Sequence, residues 1–442
     1  MKNKMIARPG VRRGGAGLKT LSLNRAGQLL PALVLLACPA YAAPAESETV
    51  PASQTAEQPV VSGETTGDKE PTWKFATLLA SSATYDDNIF IQPTDKKKDF
   101  YVNIDPTFAV GLGNFRDALA SFANIPHFLV RTGEEDLPWK NFAYVSYTPD
   151  GIIFSKYHKE NHLNHDARLA AQQERDLWTI KGDFHFQTES EPVIDVGHRI
   201  NQTDYTADLN AAYALTGKLT GGSELYGRHS DYTGGFSSTD GRVAGYLDYQ
   251  LAPKTAVGLA AAGGYLDVSH GASQPYEQAL VQIKYLPTDK LSFNAQGGDE
   301  YRQYRSRVPN RSQLVFDVRG SYDPTDSTEL TLRANRDTVA SAEYSGEDIV
   351  ESIYQASIRQ RFLQRLYLSI AGGLDHNTYE NNVATVTVSR RDDYYFYQTS
   401  LSCDVTQHGT VQLSYEHREN SSSLAAFKFT ENLYSIAASF LF

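Results

Sequence analysis

From Trp73 to its last residue the chain alternates apolar and polar positions with a period of two, the spacing that sends successive side chains to opposite faces of a strand. In 311–322, Leu314, Phe316, Val318 and Tyr322 share one face, against Arg311, Gln313, Asp317, Arg319 and Ser321 on the other. In 328–337, Leu330, Leu332 and Ala334 oppose Glu329, Thr331, Arg333, Asn335 and Asp337. In 350–362, Tyr354, Ala356, Ile358 and Phe362 oppose Glu351, Gln355, Ser357, Arg359 and Arg361. Val411, Leu413 and Tyr415 oppose Gln412, Glu416 and Arg418, and the chain ends on Tyr434, Ile436, Ala438, Phe440 and Phe442 at every second position. The polar face carries charges of both signs, which need water, so it is not the dry interior of a sandwich. A wall with lipid on one side and water on the other satisfies both faces.

The pattern predicts eighteen strands: 73–84, 100–112, 140–155, 162–174, 177–188, 204–215, 218–230, 240–251, 254–268, 275–286, 290–303, 311–323, 327–340, 348–363, 365–379, 392–405, 409–418 and 431–442. Tight turns, such as Leu215–Lys218, Ala252–Lys254 and Leu363–Arg365, alternate with longer polar connections, such as Asp86–Lys98, Glu189–Thr203, Glu380–Arg391 and Glu419–Thr430. Short periplasmic turns alternating with longer external loops is the arrangement of outer-membrane barrels. The expected fold is therefore all-β: a transmembrane antiparallel up-and-down barrel of about 18 strands, with both termini periplasmic. The stretch 114–139 fits an extra strand, a short helix or a periplasmic insertion, which leaves the count open by two.

The amino terminus sends the chain out of the cytoplasm. Seven basic residues and no acidic one precede Glu46, Leu29 to Ala37 is apolar, and Ala40-Tyr41-Ala42 is a small-x-small cleavage site. Residues 1–42 read as a signal peptide, too short for a spanning helix. Leu35-Leu36-Ala37-Cys38 also resembles a lipobox, though Pro39 after the cysteine disfavours lipidation. Residues 43–72, rich in Ala, Pro, Glu, Ser and Thr, bury too little to fold and read as a disordered periplasmic lead, leaving 73–442 for the barrel. Removing residues 1–42 leaves 34 basic against 52 acidic groups and no basic stripe, which argues against nucleic acid as a partner. A mean hydropathy of −0.42 would suit a soluble chain, but alternating strands hide a membrane wall from such averages. The free terminal Phe442, with Tyr434, Ile436 and Phe440, resembles the assembly signal of bacterial outer-membrane barrels. That likeness implies the barrel-insertion machinery and outer-membrane lipid as partners.

Few constellations suggest chemistry. Asp86, Asp87 and Asn88 follow the first strand, where a polar turn capping its own backbone outweighs a calcium loop. His158, His162 and His165 lie near Glu160, but His162 and His165 fall on opposite faces of a strand. No Gly-x-Ser-x-Gly occurs and the histidines are scattered, so the chain is read as a non-enzyme with no cofactor and no metal. The expected lumen lining is Lys284, Arg302, Arg311, Asp317, Arg319, Glu329, Arg333, Glu351, Arg359, Arg361, Glu416 and Arg418. The same residues also suit cross-strand ion pairs that merely hold the wall. Tyr394, Tyr395, Phe396 and Tyr397 are expected in an interfacial aromatic girdle.

Several strings add a resemblance: Tyr85-Asp86-Asp87-Asn88-Ile89-Phe90, Leu163-Asn164-His165-Asp166-Ala167-Arg168-Leu169, Asp195-Val196-Gly197-His198-Arg199, Gly264-Tyr265-Leu266-Asp267-Val268, Tyr276-Glu277-Gln278-Ala279-Leu280-Val281 and Arg359-Gln360-Arg361-Phe362-Leu363-Gln364-Arg365. In order and spacing they resemble the outer-membrane beta-barrel porin family associated with exopolysaccharide biosynthesis and export clusters, over essentially all of 73–442. The resemblance implies a channel for secreted polysaccharide or a related solute, with a periplasmic export protein as partner. A small-solute porin and a plugged structural or adhesive barrel are the competing expectations.

Overall fold

The computed structural model describes residues 73–113, 141–271, 273–288, 290–304, 308–382 and 389–442. The expected signal peptide, the lead and the stretch 114–139 lie outside them. Among the described residues, eighteen strands follow one another: β1 (Lys74–Asp86), β2 (Asp99–Leu112), β3 (Asn141–Phe154), β4 (His162–Arg175), β5 (Trp178–Val193), β6 (His198–Ala214), β7 (Leu219–Tyr232), β8 (Ser238–Ala252), β9 (Thr255–Val268), β10 (Gln274–Thr288), β11 (Leu291–Arg302), β12 (Arg311–Thr325), β13 (Thr328–Ala340), β14 (Glu347–Phe362), β15 (Leu366–Asn381), β16 (Arg391–Asp404), β17 (Gly409–Ser422) and β18 (Phe429–Leu441). Each pairs antiparallel with its neighbours in sequence, and β18 pairs with β1 to close the ring. The seam runs from Leu78 opposite Leu441 to Asp86 opposite Leu433. Phe442 extends it: its amide donates to Thr77 O (2.8 Å), and the Thr77 amide donates back to Phe442 O (3.2 Å).

Closure gives every residue of the wall an inside or an outside. Leu247, Leu259, Val281, Leu332 and Leu413 stand exposed on the outer face, where only lipid makes their exposure tolerable. Aromatic rings bound this apolar band. Toward the longer loops, Tyr397, Tyr415, Tyr434 and Tyr85 touch in series across four strands, with centroids 5.8, 4.9 and 6.3 Å apart. Toward the short turns, Trp178 packs on Tyr213 at 4.7 Å, and Phe440 and Phe442 lie on the same outer face. Tyr434 and Phe442 are eight residues apart; at about 3.3 Å per residue and a tilt of about 40° they span about 20 Å of membrane. That is the wall of an outer-membrane barrel, with the longer loops outside the cell and the start of β1 and the end of β18 in the periplasm.

Two expectations need correcting. Tyr394 and Phe396 are not girdle residues. They face inward, where Tyr394 packs on Phe396 and Phe429 (6.2 and 6.3 Å), because successive strand residues must alternate and only Tyr395 and Tyr397 point to lipid. The loop expected over Glu189–Thr203 shrinks to four residues, as β5 continues to Val193 and β6 starts at His198. Its polar sequence belongs to strands that have risen above the bilayer, where neither face needs to be apolar.

Small residues on β9 shape the inner wall. Ala256, Gly258, Ala260, Ala262 and Gly264 form a low strip over which longer side chains cross from β10 to β8. Lys284 Nζ reaches Asp248 at 3.1 Å, and the Tyr276 hydroxyl donates to Asp240 at 2.8 Å. A Cβ on Gly264 would lie 2.1 Å from the Tyr276 ring. Gly264→Val should therefore expel that ring and cost about 1–3 kcal/mol, the usual penalty of overpacking. Urea unfolding in detergent micelles tests this; an unchanged midpoint would mean the strip is incidental.

Candidate functional site

The extracellular mouth departs from a simple tube. β12 and β13 pair from Phe316 opposite Arg336 down to the turn, but not above it, although β12 begins at Arg311 and β13 continues to Ala340. Above that break, the upper parts of β13, β14 and β15 lean into the barrel as a ribbon. Their nominally outer face lies on the inner face of β10–β12. Gln274 Nε2 of β10 donates to Asp348 Oδ1 of β14 (2.8 Å), four strands away around the ring, and Asn382 donates to the same oxygen (2.9 Å). Arg311 of β12 pairs with Glu380 of β15 and donates to Asn381 O (3.2 Å). Gln313 hydrogen-bonds Thr338. Glu347, Asp348, Ile349 and Val350 are all buried in succession, so both faces of the ribbon are covered, unlike the wall below.

The tip of the ribbon lands on loops across the mouth. Asp195, between β5 and β6, accepts from the Ala342 amide (2.7 Å) and from Ser341 Oγ (3.1 Å). The Phe236 amide, between β7 and β8, donates to Ala342 O (2.8 Å). Ala342 packs on Val196 and Ile200, with Val193 and Tyr232 around them. Burial pushes the Asp195 carboxyl up from its ordinary range, while the Ala342 amide, the Arg390 charge and Ser341 pull it back.

Arg390 fastens this arrangement from the β15–β16 connection. It is almost fully buried and donates to Asp195 O (2.6 Å) and Ile194 O (2.8 Å), while Nε bonds the Asp392 carboxylate at 2.9 and 3.1 Å. Its guanidinium lies over the rings of Phe427 (3.4 Å) and Tyr379 (4.2 Å). A planar, always-charged fork suits this combination of carbonyls, carboxylate and aromatic faces. The β5–β6 and β15–β16 connections are almost opposite in the ring of eighteen, so the clasp spans the mouth. A second arginine, Arg199, holds the neighbouring side: it bonds Ser190 O, approaches Ile89 O (3.4 Å) and Glu160 (3.6 Å), and sits over Phe154 (5.3 Å).

The residues expected along the lumen fall into separate groups. Arg302 and Glu300 form a fully buried pair beneath the ribbon (2.9 Å), with Arg302 also donating to Gln274 (3.2 Å) and stacking on Tyr276 (4.7 Å). Arg311 holds the ribbon rather than facing open water. Asp317 and Arg319 pair at 2.7 Å, and Arg418 bonds Glu416 (2.6 Å) with Glu431 at 3.5 Å. Arg333 and Glu351 stand on the inward faces of β13 and β14, directly opposite Gln355 and Asp337 respectively. Toward the periplasmic rim, Glu329 is opposite Arg359, Arg359 lies over Tyr367 (4.5 Å), and Arg361 donates to Asp326 O (3.2 Å). Lys284 lies across β9, as described.

Other polar signals resolve into structure. Asp86 Oδ1 accepts from the Asn88 amide (2.7 Å), Asp87 accepts from the Asn432 amide (2.8 Å), and Asn88 donates to Gln92 O and Thr430 O (3.0 Å each). His162 bonds Glu160 O (2.6 Å) on the inside, and His165 bonds the Tyr147 hydroxyl (2.8 Å) on the outside. Among the described residues no group of three potential ligands stands at metal-binding distance. Sequence reasoning missed Arg390, Asp195 and Arg199 as mouth residues, because a charge in a polar loop reads as solvated.

No family model and no curated protein matches the chain. Among solved structures it is similar to OccAB4 of Acinetobacter baumannii, with 10% identity over 85% of this chain and 100% of that one and a TM-score of 0.43. It is also similar to Pseudomonas aeruginosa OccK2 (OpdF) in complex with glucuronate, with 11% identity, 83% and 98% coverage and a TM-score of 0.42. The siderophore receptor PirA of P. aeruginosa gives 8%, 85% and 81%, and 0.40. At these identities and scores the likeness assigns no function.

Proposed function

We propose that the chain is an outer-membrane channel for small polar solutes, narrowed at its extracellular mouth. An eighteen-stranded ring is wider than its own side chains can fill and leaves room for water. Its inner face offers charges of both signs, already held in pairs such as Arg168 with Asp183 and Arg242 with Glu224 (2.6 Å each), which would contact a polar solute without trapping it. The observation that carries this reading over polysaccharide export is the clasp of Arg390 on the β5–β6 connection, nearly opposite in the ring. A polymer needs a clear bore along its whole length; small solutes can pass beside such a strap.

Refolded protein in planar bilayers should give stable ion-conducting steps. Liposomes containing it should swell in monosaccharides and not in long dextrans. Dextran entry would return the argument to polymer export. A barrel that never conducts would be a structural or adhesive one.

A further inference from the structure

The break between β12 and β13 has a register waiting in it. Where the two strands pair, Phe316 faces Arg336, Asp317 faces Asn335 and Val318 faces Ala334. Continuing that antiparallel series upward would set Val315 against Asp337, Leu314 against Thr338, Gln313 against Val339 and Ser312 against Ala340. Both strands already exist over those residues, each paired on its other side: β12 with β11, and β13 with β14. Nothing about either backbone prevents the ladder from continuing. What prevents it is where the ribbon is seated.

From these observations we infer that the β13–β15 ribbon is a gate with two seats, closed as seen and open when β12 and β13 zip together to their tops; this rests on the channel reading above. In the closed seat the ribbon exchanges those ladder bonds for side-chain contacts. Thr338 meets Gln313, Asp348 meets Gln274, and Arg336 bridges the break, with Nε on Leu314 O (3.2 Å) and Nη1 on Ser352 Oγ (2.7 Å). At the far end the tip is tied by Asp195 to Ser341 and Ala342. These are polar bonds that water can replace; opening must also expose the apolar contact of Ala342 on Val196 and Ile200. The backbone groups freed along β12 and β13 find full partners in the zipped state. The hinge lies at the height of the outer aromatic girdle, counting from the periplasmic turns, so the moving part is above the lipid and pays no bilayer penalty for an open ladder.

Two engineered disulfides separate the seats, each in a background where Cys403, the one cysteine of residues 43–442, is replaced (Cys403→Ser). Leu314→Cys with Thr338→Cys can close only when the strands are zipped. Asp195→Cys with Ser341→Cys can close only when the tip is docked. Each variant is refolded reduced, inserted in planar bilayers, and recorded before and after oxidation, with cross-linking checked by mass spectrometry. The zipped lock should conduct several-fold more than the docked lock, and reduction should bring both to a common intermediate level. If the two oxidised forms conduct equally, the ribbon is a fixed part of a working channel and the gate is overturned alone. If the 314–338 bond never forms while the 195–341 bond does, the open seat does not exist. If no form conducts, reduced or oxidised, the channel reading falls and takes the gate with it.

Discussion

Replacing Arg390 with alanine is expected to loosen the extracellular mouth more than any other single change there. The side chain is buried against two carbonyls, one carboxylate and two rings. Its removal leaves Asp392, itself fully buried, as an uncompensated charge. Breaking a buried pair in this way costs about 3–5 kcal/mol. The cost falls on the connections and not on the wall, whose strands pair through their backbones independently of Arg390. The folded barrel should therefore persist in a cold gel-shift assay, while protease cuts the β5–β6 and β15–β16 connections much faster and bilayer conductance rises. Arg390→Lys keeps the charge but loses the fork, and should fall between. Unchanged protease sensitivity in Arg390→Ala would show that the loops hold together without the clasp.

Deleting Phe442 is expected to cost most of the membrane-inserted protein, for two separable reasons. The residue carries an aromatic ring on the lipid face, at the position that resembles the assembly signal. Its backbone also supplies two hydrogen bonds to Thr77 at the seam, worth about 1 kcal/mol each. Phe442→Ala keeps the backbone pair and removes only the ring. If assembly in cells fails in both variants, the ring is what the insertion machinery reads. If only the deletion fails, the seam itself is the weak point. Normal assembly of both at native expression would end the signal reading.

The eighteen strands were legible because each satisfies lipid outside and water inside, so the period-two pattern is enforced at nearly every step. Leu330, Leu332 and Ala334 against Thr331, Arg333 and Asn335 could hardly be anything else. The ribbon was not legible. Asp348-Ile349-Val350 begins β14 as plausibly as any strand, and which way a sheet leans above the bilayer is decided by partners far away, such as Asp195 for Ser341. One signal was present: Ile349 and Val350 are adjacent apolar residues, and both are buried. Here the adjacent pair breaks the alternation because both faces are covered, whereas Ile152 and Ile153 are equally adjacent and Ile153 stays exposed. Arg390 gave no such hint, since its bonds across the mouth go to the backbone carbonyls of Ile194 and Asp195, which no sequence displays.

The β1–β18 seam has a kinetic consequence. Seventeen of the eighteen pairings join consecutive strands and can form by short-range zipping; one joins the two ends of the sheet. For a free chain, bringing those ends together would cost about 5 kcal/mol in loop-closure entropy, charged all at once. A curved sheet grown strand by strand spreads that cost over its growth and delivers its two edges to each other already shaped. Until they meet, both edges are open templates for strands of other chains. The interval between the seventeenth pairing and the last is therefore when this protein is most exposed to aggregation, and when an escort that covers a single strand edge would matter most.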